Sequence, residues 1–105
     1  MRRIIAASFA LWIGDMNPEP HHTTHVFDET TLPDGLRHEH RTKPGIWGVV
    51  RLLEGRAKLC FGDSAEEQIL SPGTPGLLAP EQPHFVEPIG SMRMQVEFYD
   101  ERPQL

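Results

Sequence analysis

Cysteine is nearly absent from this sequence. Cys60 is the only one, so no disulfide can form within the chain, and stability must come from a core, a metal ion or a partner chain. A reducing, cytoplasmic compartment is the expectation. Basic side chains are scarce too: ten Lys and Arg stand against fifteen Asp and Glu, a net charge of -5, which argues against a surface that tracks nucleic-acid phosphates. Long apolar stretches are missing. The longest, Ile4 to Ile13, is far short of the ~20 residues that a membrane-spanning helix needs, so no membrane partner is expected. The chain also lacks a glycine-rich phosphate loop, a paired-cysteine zinc site and any Ser-His-Asp arrangement legible from order alone.

What remains fits one small domain, since 105 residues with 38% hydrophobic side chains support a single modest core. Arg2 and Arg3 followed by Ile4 to Ile13 resemble a short secretory signal, but Gly14-Asp15-Met16-Asn17 makes a poor cleavage site. We expect residues 1–25 to be an N-terminal extension, an apolar strand or helix followed by a Pro- and His-rich linker. Met16 is an alternative start. The domain itself is expected over 26–101, with a short tail at 102–105.

Ten prolines and nine glycines place turn signals about every eight to twelve residues, the spacing of an all-β sandwich or barrel. Pro33-Asp34-Gly35 and Pro44-Gly45 each precede an extended run. Glu54-Gly55 reads as a tight hairpin between Ile46–Leu53 and Arg56–Phe61. The final run alternates, with Met92, Met94, Val96 and Phe98 on one face and Arg93, Gln95, Glu97 and Tyr99 on the other. Short antiparallel strands of this kind close most economically as a double-sheet jelly roll, the architecture that includes the cupins. The same alternation sets the Cys60 thiol opposite Ala57, Leu59 and Phe61, with nothing nearby to stabilise a thiolate.

Six histidines carry the chemistry. A period of two over Gly35 to Arg41 puts Leu36, His38 and His40 on one strand face and Arg37, Glu39 and Arg41 on the other. Two imidazoles at i and i+2 can share one divalent ion, Fe, Zn, Mn or Ni. His84 opens another run after the Pro-rich turn Ala79 to Pro83, as a second barrel strand would supply a further ligand. His21, His22 and His25 read as part of the flexible linker. Trp47, between Gly45 and Gly48, is a candidate ligand-pocket wall, as are Phe85 and Tyr99. Thr42 and Lys43 read as loop residues, although a lysine at a barrel mouth attracts oxyanions.

The strings His40-Arg41-Thr42-Lys43-Pro44-Gly45-Ile46-Trp47-Gly48, Leu52-Leu53-Glu54-Gly55 and Ala79-Pro80-Glu81-Gln82-Pro83-His84-Phe85-Val86-Glu87 resemble the TehB/YeaR-like cupins. That family is a small domain found alone or fused to the methyltransferase of tellurite-resistance proteins. The resemblance implies a cupin-type double-stranded β-helix, a jelly-roll barrel, with His40 and His84 as the matching histidines; it says less of His38. Gly48 stands where the general cupin pattern has a glutamate, so the shell would be completed by His38, Glu97 or water. Glu97, on the polar face of its strand, reads first as a solvated residue.

Three functions follow: a metal-binding protein with a binding or stress-response role in tellurite or oxidant resistance, a metal-dependent enzyme such as a small-molecule dioxygenase or isomerase, or a structural dimerisation module. We favour the first, with a small-molecule or oxyanion ligand and no nucleic-acid partner. A homodimer is expected, because edge strands need cover and Ile4 to Ile13 has no place in the matched barrel.

Overall fold

Two long strands build most of the molecule. The computed structural model describes residues 18–105, so the expectations for Ile4 to Ile13 and for Met16 lie outside the described residues. In chain order the elements are β1 (His22–Thr23), β2 (Phe27–Asp28), α1 (Asp34–Arg37), β3 (Trp47–Phe61), β4 (Glu67–Leu70), β5 (Gly76–Leu78) and β6 (His84–Tyr99). β3 and β6 run antiparallel along their full lengths, from Trp47 opposite Tyr99 to Phe61 opposite His84. β1 and β2 pair with β6, while β4 and β5 pair with β3. The fold is therefore an antiparallel β-sheet. Among the described residues this sheet is open rather than closed into the expected barrel, with its strands in the order β1-β6-β3-β4.

The ribbon of β3 and β6 is creased near its middle. Its register shifts between Leu52 and Glu54 and again between Gly55 and Arg56, and Gly90 and Ser91 are the extra residues on β6. Extra residues of this kind bend a strand and sharpen its twist. Gly55 has φ +74°, and a Cβ there would run into the Ser91 carbonyl and Met92. Glu54-Gly55 thus lies between two bulges inside one continuous strand, paired with Arg93 and Met92, and is not the hairpin expected from sequence. A left-handed glycine serves either structure, which is why the dipeptide misleads. The Met92 N–H beside the crease donates to Glu29 Oε1 at 3.1 Å, which ties it to the loop after β2.

The crease lets one half of the ribbon lie over the other. Val50, Leu52, Met94 and Val96 from one half join Ala57, Leu59, Phe61 and Val86 from the other in a single core. Gly76, paired with Val50 in the first half, shows how close the halves come, because an added Cβ would sit 2.6 Å from Leu59 Cδ2 and 3.1 Å from Leu70 Cδ1 in the second. Leu59, Leu70 and Met94 are fully buried, and each such side chain contributes about 1.5–3 kcal/mol. The segment expected to be a linker also takes part: His22 pairs with Phe98 and Thr23 with Glu97, and the Val96 N–H donates to Thr24 Oγ1 at 2.9 Å.

Candidate functional site

At the open end of the core, the segment after α1 meets the start of β6. His40 and His84 exchange two backbone hydrogen bonds, of 3.0 and 2.9 Å, as an isolated antiparallel bridge. Directly opposed residues in such a bridge project to the same side. The two imidazoles accordingly meet edge to face, with ring centroids 4.0 Å apart. His84 is buried and His40 half-buried.

Each ring is held through Nδ1. His84 Nδ1 lies 2.9 Å from the Gln82 carbonyl oxygen, and His40 Nδ1 lies 3.1 Å from that of His38. A carbonyl can only accept, so each Nδ1 carries a proton, and in a neutral ring held this way the lone pair is on Nε2. Burial, reinforced by the neighbouring His40, holds the His84 pKa below the ordinary histidine value. Neutral imidazoles with Nδ1 anchored to the backbone are the form in which histidine ligates metals.

A hydrogen-bond network fixes the turn that delivers His84. Thr42, buried beside the pair, donates from Oγ1 to the Ala79 carbonyl at 3.3 Å and accepts the Glu81 N–H at 3.1 Å. Glu81 has φ +62°, a left-handed conformation that an L-residue adopts only when its surroundings hold it there. Gln82 Oε1 accepts the Ala79 N–H, and Arg41 donates to the Glu81 carbonyl. Thr42, read from sequence as an ordinary loop residue, is thus a structural clamp for the site.

The pair borders a cavity of about 660 Å³. Its walls are apolar: Val50, Leu78, Val86, Val96 and Phe98 from the strands, with Leu36 from α1 and Ile46 from the loop before β3. The polar lining comprises His40, His84, Arg41, Thr42, Lys43, His21 and Asp100. His21 Nδ1 lies 3.1 Å from Asp100 Oδ1, so this linker histidine belongs to the cavity rim.

The remaining candidates are placed elsewhere. Asp34 to Arg37 form one helical turn instead of a strand, and this breaks the period of two, so His38 becomes the exposed residue that ends α1, with Nδ1 2.9 Å from the Asp34 carbonyl oxygen. It does not line the cavity. Glu97 Oε1 accepts from Arg51 Nε at 2.9 Å and from the Tyr99 hydroxyl at 2.7 Å, on the sheet face opposite Val96 and Phe98. Burial, then the bond to Glu97, raises the Tyr99 pKa. Trp47 shares that outer face beneath Arg102, whose Cζ is 5.4 Å from the ring centroid. Phe85 alternates with His84 and Val86 and so also faces away from the cavity. Trp47, Phe85 and Tyr99 therefore do not wall the pocket. Cys60 is buried, and desolvation followed by the charges of Glu87 and Glu67 pushes its thiol pKa up. His22 stacks on Phe98 and His25 packs edge-on against Phe27. Among the described residues, no group of three His, Cys, Asp or Glu side chains converges as a metal centre.

These features define a small antiparallel β domain with a histidine pair set into an apolar cavity. The TehB-like domain family matches residues 22–96, and the chain belongs to that family. TehB from Haemophilus influenzae is similar in structure, with a TM-score of 0.73 and 25% identity over 81% of this chain and 32% of that one. The chain thus spans about a third of that relative's length. A protein from E. coli (strain K12) shares the fold with a TM-score of 0.73 and 18% identity, over 86% of this chain and 88% of that one. The Fe(II) form of HppE shares it more distantly, with a TM-score of 0.52 and 22% identity over 70% and 40% of the two chains. No curated protein matches the chain. No helix among the described residues is long and apolar enough to cross a membrane.

Proposed function

We propose that this TehB-like domain is a cupin-type binding module in which His40 and His84 hold one divalent metal ion at the wall of the cavity, with water or a bound small molecule supplying the other ligands. One observation carries the reading: two neighbouring imidazoles both have Nδ1 committed to a backbone carbonyl, which leaves two Nε2 lone pairs beside a cavity large enough for a ligand. The donor set fits a borderline ion such as Fe(II), Zn, Mn or Ni, for which imidazole is a suitable ligand. The ion would act as a Lewis acid on a bound ligand atom. His38 and Glu97 have no part in it, the first because it turns out into solvent and the second because Arg51 and Tyr99 occupy it.

Metal analysis of the untagged protein, followed by calorimetric titration with each ion, tests the proposal. His40→Ala and His84→Ala should each abolish stoichiometric binding, and His38→Ala should leave it unchanged. Stoichiometric uptake by the His40→Ala, His84→Ala double variant would remove the reading. A role in tellurite or oxidant resistance in the cytoplasm is proposed on the likeness to TehB alone; loss of tellurite tolerance in a deletion strain, restored by wild type but not by the double variant, is the matching cellular test. We also propose a homodimer, since Leu53 and β4's Ile69 are exposed apolar side chains on an open sheet. Sedimentation of the full chain as a monomer would refute it.

A further inference from the structure

The geometry points to an amphipathic monoanion, an apolar body of several carbons ending in one carboxylate or similar oxyanionic head, as the ligand of this cavity. The inference rests on taking the cavity beside His40 and His84 as the working site, but it does not require the metal. The walls decide the body of the ligand. Val50, Leu78, Val86, Val96 and Phe98 offer no hydrogen-bonding side chain, so a polyol or sugar entering here would lose its water without compensation. A bare inorganic oxyanion would meet the rim alone and fill little of a space of about 660 Å³.

The rim decides the head. Its one carboxylate, Asp100, is already beside His21 Nδ1, while Lys43 has no ion-pair partner among the described residues and Arg41 spends one N–H on the Glu81 carbonyl. The hydroxyl of Thr42 is taken up by Ala79 and Glu81 and is not available to a ligand. The charge left over at the mouth is positive, although the chain as a whole carries -5. A local sign opposite to the net charge favours an anionic head at this one place.

Calorimetry on the full chain, with and without metal, tests the inference using straight-chain alkanoates from butanoate to decanoate, the matching alcohols, and tellurite and phosphate as head-only controls. Affinity should rise about fourfold per added methylene until the cavity is filled. Each alkanoate should bind more tightly than its alcohol, by a margin that shrinks with salt, and Lys43→Gln should lower alkanoate affinity more than alcohol affinity and so reduce that margin. An affinity that does not change with chain length, or tellurite or phosphate binding as tightly as octanoate, overturns the inference. A flat series alongside stoichiometric metal uptake would defeat this inference and leave the metal reading standing. Chain-length dependence in a protein that takes up no metal would do the reverse.

Discussion

Replacing Thr42 by Val keeps the shape of a buried side chain and removes only its hydroxyl, so it isolates what that group does for the site. In the wild type Oγ1 bonds both the Ala79 carbonyl and the Glu81 N–H, and Thr42 is 9% exposed, so water replaces it poorly. Leaving one such buried backbone group without a partner costs about 1–3 kcal/mol. The left-handed Glu81, which this bond helps to hold, costs an L-residue roughly 1–2 kcal/mol in its own right, and the variant has less with which to maintain it. The turn should relax, and a net loss of about 2 kcal/mol corresponds to a fall of roughly 8–16 °C in the melting temperature of a domain this size. Thermal unfolding followed by circular dichroism reads that loss. Metal affinity should fall with it, because Gln82, which orients the His84 ring, lies in the same turn. Thr42→Ser keeps both hydrogen bonds and should stay close to wild type in both assays. If Thr42→Val melts and binds like wild type, the hydroxyl is not the clamp described here.

Because the folded-state pKa of His84 is depressed, the native protein resists protonation there more than the unfolded chain does. Its contribution to stability is complete above about pH 6.5 and is lost as pH falls through the folded value; denaturant titrations from pH 7.5 to 5 should show this, and His84→Asn should flatten the trend. Glu97→Ala strands the buried Tyr99 hydroxyl and should cost about 1–3 kcal/mol in urea unfolding, while metal stoichiometry by elemental analysis stays unchanged; loss of metal would restore Glu97 as a ligand. Gly55→Ala combines a left-handed backbone with a Cβ driven into the Ser91 carbonyl, so we expect a loss of at least ~2 kcal/mol by chemical denaturation, and a wild-type midpoint would contradict the crease.

How much the sequence reveals depends on the range of the interaction involved. The alternation of Met92, Met94 and Val96 is local, and all three are core residues in the structure. The same alternation already set Tyr99 and Glu97 apart from the cavity face, so the pocket role considered for Tyr99 ran against its own pattern. His84 was legible because it opens a strand after a Pro-rich turn; His40 stood out through a period of two that the helical turn interrupts and through the family likeness, and only the fold shows that the two pair. His38 was misplaced because one helical turn after Pro33 is too short to leave a periodic signature, yet long enough to rotate everything that follows. His21 and Thr42 escaped for a different reason. Their partners, Asp100 in one case and Ala79 and Glu81 in the other, are distant in sequence, and no local pattern announces a long-range hydrogen bond.

The crease at Gly55, Gly90 and Ser91 makes the domain a clasp formed from one folded ribbon. Val50 and Val96 stand on one jaw and His84 and Val86 on the other, so the gape of the clasp sets the width of the cavity. The core that the two halves share, with Gly76 tight against Leu59 and Leu70, holds that gape at one width. The two histidines, joined by backbone bonds across the open end, act as the latch.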